Sequence, residues 1–309
     1  MAVERAPRAD AGPRQDEGDA PSARPPRKPF SWNWVGLVPF FVFALLFLLL
    51  PSASIVVRSF EGPGGTFTFQ NILDIFQESN IRNAYKLSLQ ISVVTALAGA
   101  FFGFLLAYAV TIGGLPKAVR NFMLTFSGVA SNFAGVPLAF AFVATMGNMG
   151  LVTRLIEMAT GVDIHASGFS IYNFLGLSIV YMYFQFPLMV LIMAPALDGL
   201  RREWREACEN LGGSTFHFWR YIALPILAPT LLGTTILLFG NAFGAYATAY
   251  AFTGSFLNLI PIVIGAQIQG DVLYNPGLGN AMALGMIVVM ALVMVIYGWS
   301  QRRAARWVR

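Results

Sequence analysis

Long apolar runs separated by short polar segments dominate this chain. Six of them, at about 33–57, 85–111, 121–147, 169–196, 226–250 and 277–299, exceed the roughly 18 residues that mark a bilayer-spanning helix. At about 1.5 Å per residue, each reaches across a hydrocarbon core of about 30 Å. The pattern predicts an all-α membrane protein with six transmembrane helices.

Smaller features within and between the runs refine this. Ala96, Gly99, Ala100, Gly103 and Ala107 recur at three- and four-residue spacing in the second span, and Gly240 and Gly244 do so in the fifth. Small residues so placed let another helix approach closely, inside one subunit or at a seam between two. Pro137 in the third span and Pro187 in the fourth predict kinks, used for packing or as hinges. Between the first two spans, "EGPGGTFTFQNILDIF" predicts a Gly-Pro turn and a short amphipathic piece. After the fifth span, "SFLNLIPIVIGAQIQGDVLYNPGLGN" is apolar but broken by Pro261, Gly265 and Gly270, and reads as a re-entrant or surface-lying segment on the external face.

Charge sets the orientation. Sixteen of the 20 lysines and arginines fall in the amino tail, the second loop, the fourth loop and the carboxyl end, leaving Arg58, Arg82, Lys86 and Arg154 on the opposite side. Basic residues near spans are retained in the cytoplasm, so both termini are predicted cytoplasmic. This bias accounts for the net charge of +5 without a nucleic-acid partner. Residues 1–30, rich in Pro, Ala, Arg, Asp and Gly, read as a disordered cytoplasmic tail rather than a signal peptide. Residues 31–58 form the first transmembrane helix, and 301–309 a basic cytoplasmic end. Cys208 is the only cysteine, which excludes an intrachain disulfide, and it falls on the reducing side.

The fourth loop contains "EACENLGGSTFHFWRYIALP", residues 206–225. From Leu197 onward, Leu197, Leu200, Trp204, Ala207, Cys208 and Leu211 form a helical apolar stripe, and Arg202 with Glu206 and Arg205 with Glu209 stand at four-residue spacing on the charged face. A helix of about 15 residues is predicted here, marginal alone in water and held by what its apolar face touches. Gly212 and Gly213 supply a left-handed stop, Ser214 or Thr215 caps a second short helix with Phe216, Phe218 and Trp219, and Leu224-Pro225 closes the loop and opens the fifth span. The product is a rigid helix, turn, helix bracket on the cytoplasmic surface.

This bracket resembles the signature of the permease subunits of ATP-binding cassette importers: Glu-Ala-Ala, three residues, Gly, nine residues, Ile, one residue, Leu-Pro. The chain carries Glu206, Ala207 and Cys208, then Gly212, Ile222, Leu224 and Pro225, with both gaps matching and Cys208 in place of the second alanine. The resemblance implies a MetI-like type I ABC permease fold over about 80–300, with those seven residues in an ATPase-coupling loop at 197–225. Glu206 would face the ATPase and Gly212 would set the bend. It further implies two ABC ATPase subunits, a second permease subunit, identical or a sister chain, an extracytoplasmic solute-binding protein, and import across the plasma membrane. "YKLSLQISVVTALAGAFFGFLLAYAV" and "GVPLAFAF", with the Pro-containing external segment, look like the permeases of the spermidine and putrescine, iron, thiamine and phosphonate branch. That likeness makes a polyamine the leading cargo.

Other chemistry is argued against. Lys28, Lys86 and Lys117 are the only lysines and none follows a glycine, so no Walker loop exists and ATP hydrolysis is expected on a separate subunit; no cofactor is expected. His165 and His217 lie in loops on opposite sides and make no metal site together. All 15 acids fall outside the predicted spans, whereas proton- or voltage-driven carriers keep an ionisable group in the membrane. An ion-coupled secondary transporter using backbone carbonyls is the alternative reading. No paired carboxylates, and no nucleophile beside a base, stand at membrane depth for an enzyme. Uncharged polar residues in the spans are the pathway candidates, each with a helix-packing use as well: Ser131, Asn132, Gln185, Asn241 and Tyr246.

Overall fold

A computed structural model describes residues 36–162, 165–166, 170–254, 256–270 and 274–304. The amino tail at 1–30 and the last residues, 305–309, on which expectations of disorder and basic character fall, lie outside the described residues. The chain divides into two units, Met1–Leu50 and Pro51–Arg309. In the first, α1 (Val38–Ala44) runs into a π turn, Leu45–Leu49, and its side chains are almost all exposed. Helix α2 (Leu50–Arg58) begins at the boundary.

Among the described residues, six helical stretches are long and apolar enough to cross a membrane: Val38–Arg58, Ser79–Ile112, Val136–Thr160, Phe174–Asp198, Thr215–Phe243 and Pro276–Arg302. The last five belong to the second unit, and its shorter elements are built around those five. A hairpin at 59–71 leads in, bridged between Glu61 and Phe67. Asn71 locks it by donating to the carbonyls of Ser59, at 3.2 Å, and Glu61, at 2.9 Å. Helix α3 (Gln70–Gln77) follows and packs on α14 (Pro276–Ala304).

Helix α4 (Ser79–Ile112) is the spine of the unit, and it packs most extensively on α8 (Phe174–Asp198). The small-residue stripe lies in that seam: Ala96, Ala100 and Ala107 are buried. A Cβ on Gly103 would stand 2.6 Å from the Cβ of Met189, which is why no larger residue fits there. The stripe therefore serves packing within one chain. Ser92 and Thr95, inside the same helix, return their hydroxyls to the carbonyls one turn back, at 2.7 and 2.8 Å, so neither is left unsatisfied in an apolar core.

Two spans differ from the sequence expectation. In place of one helix over 121–147 there are two, α5 (Lys117–Asn132) and α6 (Val136–Met146), broken at 133–135. Gly135 takes φ +74°, a conformation that a side chain resists, and this ends the run. Pro137 then stands in the first turn of α6, where no hydrogen bond is lost, so it starts a helix rather than kinking one. Helix α7 (Leu151–Thr160), which carries Arg154 and Glu157, completes the Val136–Thr160 stretch begun by α6. The fifth span runs over Thr215–Phe243 rather than 226–250, breaks at 244–245, and resumes as α12 (Tyr246–Thr253). Pro187, by contrast, sits inside an uninterrupted α8 together with Pro195.

The broken apolar segment after the fifth span forms α13 (Ile260–Gln269), packed against α14 and α4. Its Ile260 is fully buried, with the backbone N–H on Ser88 Oγ at 2.8 Å. The first half of this segment is thus packed into the bundle, with Ile262 and Val263 buried beside Ile260.

Candidate functional site

Helix α8 ends at Asp198, and an extended Arg201 begins α9 (Arg202–Asn210). The bracket's first helix is thus nine residues, not about 15. The cause is Leu197 and Leu200, which belong to the core of the bundle and pull the chain back from the surface path that α9 then takes. Arg202 and Glu206, and Arg205 and Glu209, pair at 2.9 Å as their spacing predicts. Both pairs are solvent-exposed, so each contributes at most a few tenths of a kcal/mol.

The turn is built as expected at Gly212 and differently at Gly213. Gly212 has φ +77°, while Gly213 has an ordinary φ and is needed for closeness: its N–H reaches the Cys208 carbonyl at 2.8 Å, and a Cβ there would stand 2.5 Å from Cys208 Sγ. Ser214 caps α10 (Thr215–Phe218), accepting from the N–H of His217, whose ring closes a capping box.

Leu224-Pro225 does not close the loop. The helix that starts at Thr215 continues through a π turn, Trp219–Ala223, into α11 (Leu224–Phe243). Pro225 has no N–H to donate to the preceding turn, and the wider π turn absorbs that missing bond without a break. The second arm of the bracket is therefore one rod with the fifth span. Trp219 fixes it to α4, edge-on to Tyr108 with centroids 5.3 Å apart and to Phe104 at 6.5 Å.

Between the arms lies a cavity of about 490 Å³ lined by Trp204, Ala207, Cys208, Leu211, Ile222 and Ile226 among others. Leu211 at its rim is 90% exposed, and Phe216 and Tyr221 are also exposed. Apolar side chains clustered at the surface of an otherwise charged segment mark a contact surface, for another protein or for the membrane. Glu206, Ala207, Cys208, Gly212, Ile222, Leu224 and Pro225 thus come together on one bracket, with Glu206 on its exposed charged face and Ile222 in the cavity wall.

The pathway candidates separate. Ser131 and Asn132 stand at the end of α5, both bonded to the Gly128 carbonyl. Tyr246 opens α12, stacked on Tyr250 at 5.5 Å, and Asn241 is exposed on α11. The two helix breaks are joined: the Gly135 N–H donates to Thr248 Oγ1 at 2.7 Å. Gln185 is elsewhere, 0% exposed in the α4–α8 seam, donating to Thr95 Oγ1 at 3.2 Å while its own carbonyl oxygen has no partner. Sequence reasoning missed Thr248 and the break at Gly135. Neither carries a local signal, since their contact joins residues 113 positions apart.

Among the described residues, an all-helical bundle with six long apolar stretches and a helix-turn-helix bracket between the fourth and fifth is the architecture of a multi-pass membrane protein. The family described as binding-protein-dependent transport system inner membrane component matches residues 99–309, and the chain belongs to it. It is a permease subunit of an ABC importer, a multi-pass component of the inner membrane. It is 23% identical over 276 residues to a probable sulfate transport system permease protein cysT of Nephroselmis olivacea, covering 88% of this chain and 89% of that one. With the sulfate transport system permease protein CysT of Salmonella typhimurium it shares 24% over 216 residues, 69% and 72% of the two chains. A putative ferric transport system permease protein, FbpB 1 of Haemophilus influenzae, is 22% identical over 258 residues, 84% of this chain and 40% of that one. Among solved structures, a bacterial ABC transporter involved in the import of the acidic polysaccharide alginate superposes with TM-score 0.67 at 18% identity, over 89% of this chain and 96% of that one. A second structure, of bacterial alginate ABC transporter in complex with alginate pentasaccharide-bound periplasmic protein, gives 0.68 at 15%, covering 88% and 98%. These relatives carry sulfate and ferric names; they lend no support to the polyamine expectation.

Proposed function

We propose that this chain is half of the translocation pathway of a type I importer, paired with a second permease, identical or a sister chain. One of two ATPase subunits grips the 197–225 bracket, the other grips the second permease, and an extracytoplasmic binding protein delivers the cargo. The observation that carries this is the bracket itself: an apolar cavity between two short arms, one of them continuous with a membrane span. A partner that moves the bracket moves α10 and α11 as one lever.

For the cargo we take a small oxyanion of the sulfate type ahead of spermidine or putrescine. The names of the relatives support this, and so does the chemistry of the exposed polar residues at the helix breaks. Asn132, Asn241 and Tyr246 offer amide and hydroxyl donors without fixed charge. A pathway of that kind passes along an anion already selected outside, holding it weakly enough to leave.

Replacing Glu206 and Gly212 together, as Glu206→Ala and Gly212→Val, tests the coupling. The protein is expected in the membrane at its normal level, while ATPase co-purification and uptake of labelled sulfate both fall. Normal uptake would sink coupling through this loop. Uptake assays with labelled sulfate and labelled spermidine, in cells carrying the whole transport system, decide the cargo.

A further inference from the structure

At the end of the bundle opposite the bracket, α3, α4 and α14 enclose a groove of about 630 Å³. Its walls are apolar, with Ile75 and Phe76 from α3, Leu89 from α4 and Val288 from α14. Two cations line it, Arg82 and Lys86, one turn apart on α4, and no carboxylate does. Arg82 is positioned by a bond from Nη1 to the Phe76 carbonyl at 2.6 Å, with the Gln77 carbonyl more distant at 3.4 Å. Its remaining N–H groups are available to a ligand. Lys86 is exposed and makes no ion pair among the described residues.

Measured along the helices, the groove has a length comparable to half a bilayer. Tyr85 donates to the Met282 carbonyl, which sets the starts of α4 and α14 side by side. Arg82 and Lys86 fall within about 12 Å of the start of α4, and Val288 about 18 Å into α14, at 1.5 Å per residue. The half-thickness of the hydrocarbon core is about 15 Å. Positive charge above an apolar trough at this depth complements one kind of molecule, with an anionic head and a hydrocarbon tail.

We propose that this groove binds an anionic phospholipid of the leaflet opposite the bracket. The phosphate diester lies between Arg82 and Lys86, and an acyl chain runs along Leu89 and Val288. The proposal is independent of the cargo and of the ATPase contact.

The test uses the full-length transporter in nanodiscs of phosphatidylcholine doped with phosphatidylglycerol, with lipid retained through mild delipidation measured by mass spectrometry. The native protein is expected to retain phosphatidylglycerol in preference to phosphatidylcholine, and inorganic phosphate should not displace it. Lys86→Gln should lower that retention about fivefold, Lys86→Arg should restore it, and Arg154→Gln on α7 should leave it unchanged. A photoreactive side chain at Leu89 should give lipid adducts. Equal retention of both lipids by the native protein, or undiminished retention in the combined Arg82→Gln and Lys86→Gln variant, overturns the proposal. So does an adduct at Leu89 to a protein segment in place of lipid.

Discussion

Gly99 and Gln185 meet where α4 crosses α8, and the two positions predict opposite outcomes. A Cβ on Gly99 would stand 2.5 Å from Gln185 Oε1 and 3.4 Å from a Leu238 methyl, so Gly99→Leu overpacks a closed seam. It should cost about 1–3 kcal/mol, seen as a lower unfolding temperature in detergent and less protein in the membrane. Gln185→Met conserves volume and removes a buried oxygen that has no partner, while Thr95 keeps its own bond to the Ile91 carbonyl at 2.8 Å. Stability should stay within about 1 kcal/mol of the native protein, or rise. Uptake should stay unchanged if the seam is its whole role; a selective loss of uptake would assign Gln185 to the pathway.

At the scale of elements, the bracket matters through its turn and its attachment. Gly212→Val places a side chain at φ +77°, which should cost about 1–2 kcal/mol and loosen the turn. Ser214→Ala removes the cap of α10 and should cost about 1 kcal/mol. Arg202→Ala, which removes an exposed pair, should change stability by less than about 0.5 kcal/mol. Trp219→Ala is expected to act differently, because Trp219 joins the bracket to α4 through Tyr108 and Phe104. ATPase should still co-purify, but each ATP hydrolysed should drive less uptake. An unchanged ratio of uptake to hydrolysis would show that the push does not travel through this contact.

The whole bundle is held by apolar burial with few charges, which decides how it can be powered. Asp198, at the end of α8, pairs with Arg120 near the start of α5, and both are partly exposed. That pair ties two helix ends on the bracket side rather than placing a titratable group in the pathway. Glu157, exposed near the end of the Val136–Thr160 stretch, is the one other acid in the six long apolar stretches among the described residues, so an ion gradient has no carboxylate in the middle of a crossing to act on. Depleting ATP while an ion gradient is maintained should stop import in whole cells. Continued import would favour the secondary carrier.

Membrane class, span number and the bracket's position were legible in the sequence because apolar length, helical spacing and glycine placement are local properties of the chain. Gly212 shows this well: a glycine after an amphipathic stripe ends a helix whatever surrounds it. The breaks at Gly135 and at 244–245 were not legible, since an apolar run reads the same whether one helix or two fill it. They persist because Thr248 supplies a partner for the Gly135 N–H across more than a hundred residues of chain. Long-range contact likewise placed Gln185 in a packing seam and shortened α9 through the pull of Leu197 and Leu200, while the π turn Trp219–Ala223, just before Pro225, joined α10 to α11. Local sequence sets which segments become helices, and only tertiary contact decides where a backbone group finds its second partner and therefore where a helix stops.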